Sequence, residues 1–114
     1  MNPDKNIFRL EHVLESIEKI EFIIKDLSYV QYLEDWIKQD AIIRNIEVIG
    51  EAIKNIDDEL KERYPKVAWK EAKGMRNLLV HEYFRIEHDE VWRTLNEDLP
   101  KLKLQIISII NDIK

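Results

Sequence analysis

Two glycines and three prolines are all the turn punctuation this chain has over 114 residues. A β-sandwich or barrel needs a turn signal roughly every 8–12 residues, and a doubly wound sheet needs glycine-rich turns. Gly50, Gly74, Pro3, Pro65 and Pro100 cannot supply either pattern. The long stretches between them are most simply helices. Eighteen isoleucines pull weakly towards strands, so their spacing has to decide.

That spacing is helical. Ile7, Leu10, Leu14, Ile17 and Ile24 share one face, and Val13, Ile20 and Leu27 widen it, predicting a helix from about Asp4 to Lys25. Asp26-Leu27-Ser28 is the expected break, with Ser28 as N-cap of the next helix. A second helix is predicted over Tyr29 to Ile56. Its seam is Ile42, Ile46, Ile49, Ile53 and Ile56, in steps of three and four. Asp40, Arg44, Glu47 and Glu51 repeat in step on the opposite side and read as a solvated face. Gly50 in mid-helix costs about 1 kcal/mol against alanine, which a close approach by another backbone would explain. A short helix, Glu59 to Tyr64, is stopped by Pro65. A further long helix is predicted over Val67 to Phe84 and a polar linker over Arg85 to His88. The next helix starts near Asp89 and carries Val91, Trp92 and Leu95. Asp98-Leu99-Pro100 kinks it or opens a new helix with Asp98 as N-cap. Leu102, Ile106, Ile109, Ile110 and Ile113 then pack the C-terminal helix. The expectation is all-α, an up-and-down bundle of four to five helices, in one domain over residues 1–114.

Composition removes several functional classes. With 45% hydrophobic and 36% charged residues the chain can build a core and cover it, unlike a disordered chain. Without cysteine there is no disulfide or Cys-ligated zinc, and His12, His81 and His88 are too scattered for a metal cage. No metal or cofactor is therefore expected. No apolar run reaches the roughly 18 residues of a membrane span, and the first residues are too polar for a signal peptide. A cytoplasmic protein is expected. The net charge of −5 argues against indiscriminate nucleic-acid binding. One basic island, Lys61 to Arg76, stands against this balance.

The island runs into Gly74-Met75-Arg76-Asn77-Leu78-Leu79-Val80-His81-Glu82-Tyr83-Phe84, which holds Arg, Asn, His and Tyr within about two helical turns. With Arg76 at zero, Leu79, Val80 and Tyr83 fall at about 300°, 40° and 340° on a helix. Arg76 thus lies in an apolar stripe and needs an anion. Asn77 and His81 share an edge. Arg supplies a fixed cationic fork and His a proton exchangeable near neutrality, which suits a phosphate. A structural reading stands beside this one: Arg76 paired with Glu47 or Glu51, and His81 as a half-buried polar residue.

Arg76-x4-His81-x-Tyr83 resembles the R-x4-H-x-Y motif of the HEPN superfamily, in its HepT-like toxin branch. The resemblance extends to Asp40–Ala52, to Arg63-Tyr64-Pro65, Trp69 and Gly74–Asn77, and to Val91-Trp92 and Glu97–Pro100, covering the chain in order. It implies a homodimeric helical bundle and a metal-independent ribonuclease of a toxin–antitoxin pair, with the motifs of both copies lining one groove. Arg76 would hold the scissile phosphate of the RNA substrate. His81 would act as general acid or base, and Asn77 would orient the phosphate or His81. The cognate partner implied is a minimal nucleotidyltransferase antitoxin that adds AMP to Tyr83. The chain departs from the usual pattern at Leu78 and Glu82, and both departures lower the positive charge beside the motif. The alternative is a non-catalytic helical module that binds nucleotide or a partner.

Overall fold

The computed structural model describes residues 3–74 and 86–114. They form an all-α bundle in which three long helices carry the core and shorter ones close it. In chain order these are α1 (Pro3–Ile24), α2 (Tyr29–Glu34), α3 (Trp36–Lys54), α4 (Asp58–Arg63), α5 (Trp69–Lys73), α6 (His88–Arg93) and α7 (Leu99–Ile113). One wide π turn, Thr94–Asp98, joins α6 to α7. The segmentation is finer than the four to five helices expected from the sequence.

The α1 stripe is centred on Leu10, Val13, Ile17 and Ile20, all buried. Ile7, Leu14 and Ile24 are only half-buried at its margins. The helix stops where Asp26 turns into the left-handed region at φ 60°, a conformation that aspartate tolerates better than most residues. Ser28 then caps α2 as expected. Its hydroxyl accepts from the Gln31 backbone N–H at 3.1 Å, and the Gln31 side chain accepts from the Ser28 N–H at 2.9 Å.

The predicted helix from Tyr29 to Ile56 is two helices. Asp35, at φ −116° and ψ 87°, ends α2 and begins α3. Its carboxylate accepts from the Lys38 backbone N–H at 3.0 Å. The Gln39 amide donates to the Tyr32 and Leu33 carbonyls at 2.8 and 3.2 Å. Side chains thus satisfy both helix ends at the elbow, a local competition that hydrophobic periodicity does not register. Beyond the elbow the isoleucine seam behaves as read: Ile42, Ile46, Ile49, Ile53 and Ile56 are all buried. Asp40, Arg44, Glu47 and Glu51 are exposed. Gly50 is buried, and α3 packs against α1, α2 and α5.

Long-range polar contacts tie the bundle. Asn6, fully buried, donates to the Asp57 carboxylate and accepts from the Asp57 N–H, each at 3.2 Å. Lys103 of α7 pairs with Glu21 of α1 at 2.8 Å. The Tyr64 hydroxyl donates to Asp112 near the end of α7. Asp98 does not cap α7. It keeps helical angles and takes Arg93 at 3.3 Å instead. The helix runs on through the π turn, whose i→i+5 widening comes just before Pro100. There the missing N–H and the ring would disturb a regular α ladder.

Candidate functional site

Arg76, Asn77, His81 and Tyr83, with Leu78 and Glu82, lie outside the described residues, as does most of the predicted helix Val67 to Phe84. The described structure gives both flanks of that segment. On the N-terminal side Pro65 ends the α4 connection, and the Trp69 indole N–H donates to the Tyr64 carbonyl at 3.0 Å. This hydrogen bond fixes the start of α5, which runs to Gly74 with Ala72 buried beneath it.

On the C-terminal side Ile86 packs on the core, and His88 opens α6. His88 Nδ1 lies 2.8 Å from the Tyr32 hydroxyl. Tyr32 is fully buried on α2, and its ring also meets Trp92 of α6 at 5.2 Å between centroids. Burial, reinforced by the neighbouring Tyr29, pushes the Tyr32 phenol from 10.0 up to about 12. It therefore stays neutral at physiological pH. The sequence reading treated His88 as part of a polar linker and missed this latch. Its partners are separated by 56 residues, and no local pattern joins them.

Between the flanks opens a cleft of about 570 Å³. Its walls are the α4–α5 connection and α5 on one side, and α6, the π turn and α7 on the other. Lys66, Lys70 and Lys101 line it with Gly74, Arg93 and Thr94. The three lysines are exposed, and none makes an ion pair among the described residues. Arg93 is held by Glu90 at 3.4 Å and by Asp98 at 3.3 Å. Glu71 is the other carboxylate in the lining. Gln105 reaches across to the Lys66 carbonyl at 3.4 Å. Two of the lysines belong to the basic island noted in the sequence. Lys101 and Arg93 join them only through the fold. Nearby, burial and the Lys73 ammonium lower the pKa of Lys61, and Asp58 partly offsets them.

A second groove, of about 680 Å³, lies between α1 and α3 and is lined by Arg9, His12, Arg44, Glu47 and Glu51 among others. Arg9 donates to the Asn55 carbonyl, and the His12 ring packs on Phe8 at 4.5 Å. Among the described residues no cluster of His, Asp and Glu has the arrangement of a metal site, and no helix is long and apolar enough to cross a membrane.

The family profile described as "Ribonuclease HepT-like" matches residues 13–109. The chain belongs to the ribonuclease HepT-like family. Among relatives, the Methanocaldococcus jannaschii protein named "Gamma-glutamylcyclotransferase and putative RNase" is 42% identical over 99% of this chain and 50% of its own. A "Putative RNase" of Caldanaerobacter subterraneus subsp. tengcongensis is 37% identical over 92% of this chain and 94% of its own. The "Probable ribonuclease HepT" of Thermococcus cleftensis is 40% identical over 82% and 86%. The chain thus spans half the length of the first relative and most of the other two. No solved structure matches it. The HepT-like match encloses residues 75–85, so Arg76, Asn77, His81 and Tyr83 all fall inside it.

Proposed function

We propose that the chain is a metal-independent ribonuclease, the toxin of a toxin–antitoxin pair in the cytoplasm. The observation that carries the reading is Arg76-x4-His81-x-Tyr83 inside a HepT-like match that spans residues 13–109. The chemistry is self-contained. The RNA 2′-hydroxyl attacks the adjacent phosphorus, the bond to the 5′-oxygen breaks, and a 2′,3′-cyclic phosphate is left. The nucleophile is part of the substrate, so no metal-activated water is required. Arg76 neutralises the phosphate as charge builds on it. His81 moves the proton between the attacking and leaving oxygens. Asn77 orients the phosphate or His81.

The proposed assembly is a homodimer in which two copies of Arg76 and His81 line one groove across a two-fold axis. Phe22, Trp36 and Ile37, at 83%, 68% and 64% exposure, are large apolar side chains that a second copy would cover. The proposed partner is a minimal nucleotidyltransferase that adds AMP to the Tyr83 hydroxyl. The bulky anion would then fill the groove and repel RNA.

The test is cleavage of RNA by the pure protein. His81→Ala and Arg76→Ala are each expected to slow cleavage by about 10²–10⁴-fold with the circular dichroism spectrum unchanged. Unaltered cleavage by the His81 variant rejects this mechanism and leaves the non-catalytic module. With the nucleotidyltransferase and ATP, intact mass should rise by AMP units, and Tyr83→Phe should accept none. Light scattering at micromolar concentration should report a dimer.

A further inference from the structure

The described cleft beside Gly74 combines features that the motif chemistry does not use. Three exposed lysines, Lys66, Lys70 and Lys101, converge on it from two walls without an ion pair among the described residues. In a chain of net charge −5 such a concentration repels itself unless an anion answers it. The local carboxylates do not. Asp98 is engaged with Arg93, which leaves Glu71 against the three lysines. One wall includes the π turn, with the buried Thr94 facing the cleft. Such turns give up regular helix geometry and are found disproportionately at functional sites. Gly74 is part of the lining, and the sequence continues from it into Arg76–Tyr83.

We infer that this cleft is a second phosphate-binding subsite, which holds the backbone of a single RNA strand next to the phosphate being cut. The inference rests on the ribonuclease reading and adds to it where the uncut part of the substrate lies. Among the described residues no aromatic side chain lines the cleft, so they offer no platform for stacking bases. Its contacts are to phosphate and ribose, and these position a strand without reading its sequence. Lys66, Lys70 and Lys101 bind the strand, and the Arg93–Asp98 pair in the lining leaves that carboxylate neutralised. The subsite compensates for Leu78 and Glu82, which lower the positive charge of the motif itself.

The experiment uses the full chain with Lys66, Lys70 and Lys101 all changed to Gln, in the wild-type background for cleavage and with His81→Ala for binding. Affinity for a fluorescent single-stranded oligoribonucleotide at low salt should fall by about 10- to 100-fold. The slope of log K against log salt should flatten by about 2, since each neutralised phosphate of a single strand contributes about 0.7. A-rich and U-rich strands should lose equally. Cleavage of the oligonucleotide should fall in parallel, while cleavage of a dinucleotide, which has no flanking phosphate, should stay within about two-fold. Arg at the same three positions should keep affinity, which separates charge from folding. A control with Lys19, Lys25 and Arg44 changed to Gln removes the same charge elsewhere and should keep affinity. Wild-type protein that neither binds nor cleaves RNA overturns the ribonuclease reading and this subsite with it. Wild-type cleavage with affinity and slope unchanged in the Lys→Gln variant overturns the subsite alone, including the case where only binding of the nucleotidyltransferase suffers. An equal loss on the dinucleotide also overturns it, by moving the lysines to the scissile phosphate.

Discussion

The two grooves of the bundle are similar in size, about 570 and 680 Å³, and opposite in construction. The groove between α1 and α3 has long helices for walls, and cations and carboxylates alternate in its lining. Arg9 reaches the Asn55 carbonyl, Glu51 has a partner of its own, and Arg44 and Glu47 share the lining with them. The cleft beside Gly74 is built from a five-residue helix, a π turn and the start of α7, and its lysines are left open. Charge composition already separates the two: the lysine cleft is lined by four cations and two carboxylates, the α1–α3 groove by two of each. What separates them further is placement: Arg9 and Arg44 share their lining with Glu47 and Glu51, whereas Asp98 is already paired with Arg93 and leaves Glu71 beside the three lysines.

The walls are also secured differently, and the largest expected effect tests the α6 wall. The α6 wall of the lysine cleft hangs on Tyr32. Its phenol is raised to about 12, so the sign of the linkage is fixed. Below pH 10 the phenol is neutral whether the chain is folded or not. Between about 10 and 12 it ionises in the unfolded chain first, and folding loses stability as pH rises through that window. The loss should total about 2–3 kcal/mol at its upper end. Tyr32→Phe should remove this part of the pH dependence and cost about 1 kcal/mol at neutral pH through the lost His88 contact. Urea midpoints across pH check both. The same variant should weaken RNA affinity if α6 positions the cleft.

The next effect breaks the comparison from the other side. Asn6→Ala removes the acceptor of the Asp57 N–H and a donor to the Asp57 carboxylate. Two part-buried hydrogen bonds at about 0.5–1.5 kcal/mol each make a loss of about 1–3 kcal/mol. This change, near the base of α1, should lower the urea midpoint and leave RNA affinity unaltered. Lost affinity at equal folded fraction would mean that the α1–α3 side takes part in binding. A smaller effect of the same kind is expected at the elbow, where Asp35→Ala removes the cap of α3 at a cost of about 1 kcal/mol, again without loss of affinity.

How far the sequence could be read follows from the range of each interaction. The isoleucine seam from Ile42 to Ile56 and the Ser28 cap depend on neighbours within one or two turns, and both appear as read. The elbow at Asp35 was hidden because an aspartate in a helix-compatible pattern looks like surface, and only the Lys38 N–H and the Gln39 amide reveal a cap. Of the two readings of Asp98-Leu99-Pro100, the irregularity appears, as the π turn, and the cap does not, because Asp98 pairs with Arg93 instead. The Tyr32–His88 latch and the meeting of Lys101 with Lys66 span distant parts of the chain and belong to tertiary structure alone. Arg76, Asn77, His81 and Tyr83 were legible by motif and resemblance, and their placement lies outside the described residues.

The smallest effect bears most directly on the difference between the grooves. Arg44 is as exposed as the cleft lysines and carries the same charge. If net charge alone governed RNA binding, Arg44→Gln would weaken affinity as much as any one of Lys66→Gln, Lys70→Gln or Lys101→Gln. If the local balance of cations and carboxylates governs it, the two kinds of variant must differ. Arg44 lies in a groove with Glu47 and Glu51, whose carboxylates repel a phosphate that approaches it. An exposed charge outside the strand's contacts is largely screened beyond a Debye length, about 10 Å at 0.1 M salt. Arg44→Gln should therefore change affinity by less than about two-fold and leave the salt slope unaltered, while each single cleft variant flattens the slope by about 0.7. Parallel titrations of the four single variants over the same salt series decide the matter. A flattened slope for Arg44→Gln would place a phosphate in the α1–α3 groove and erase the distinction between the two.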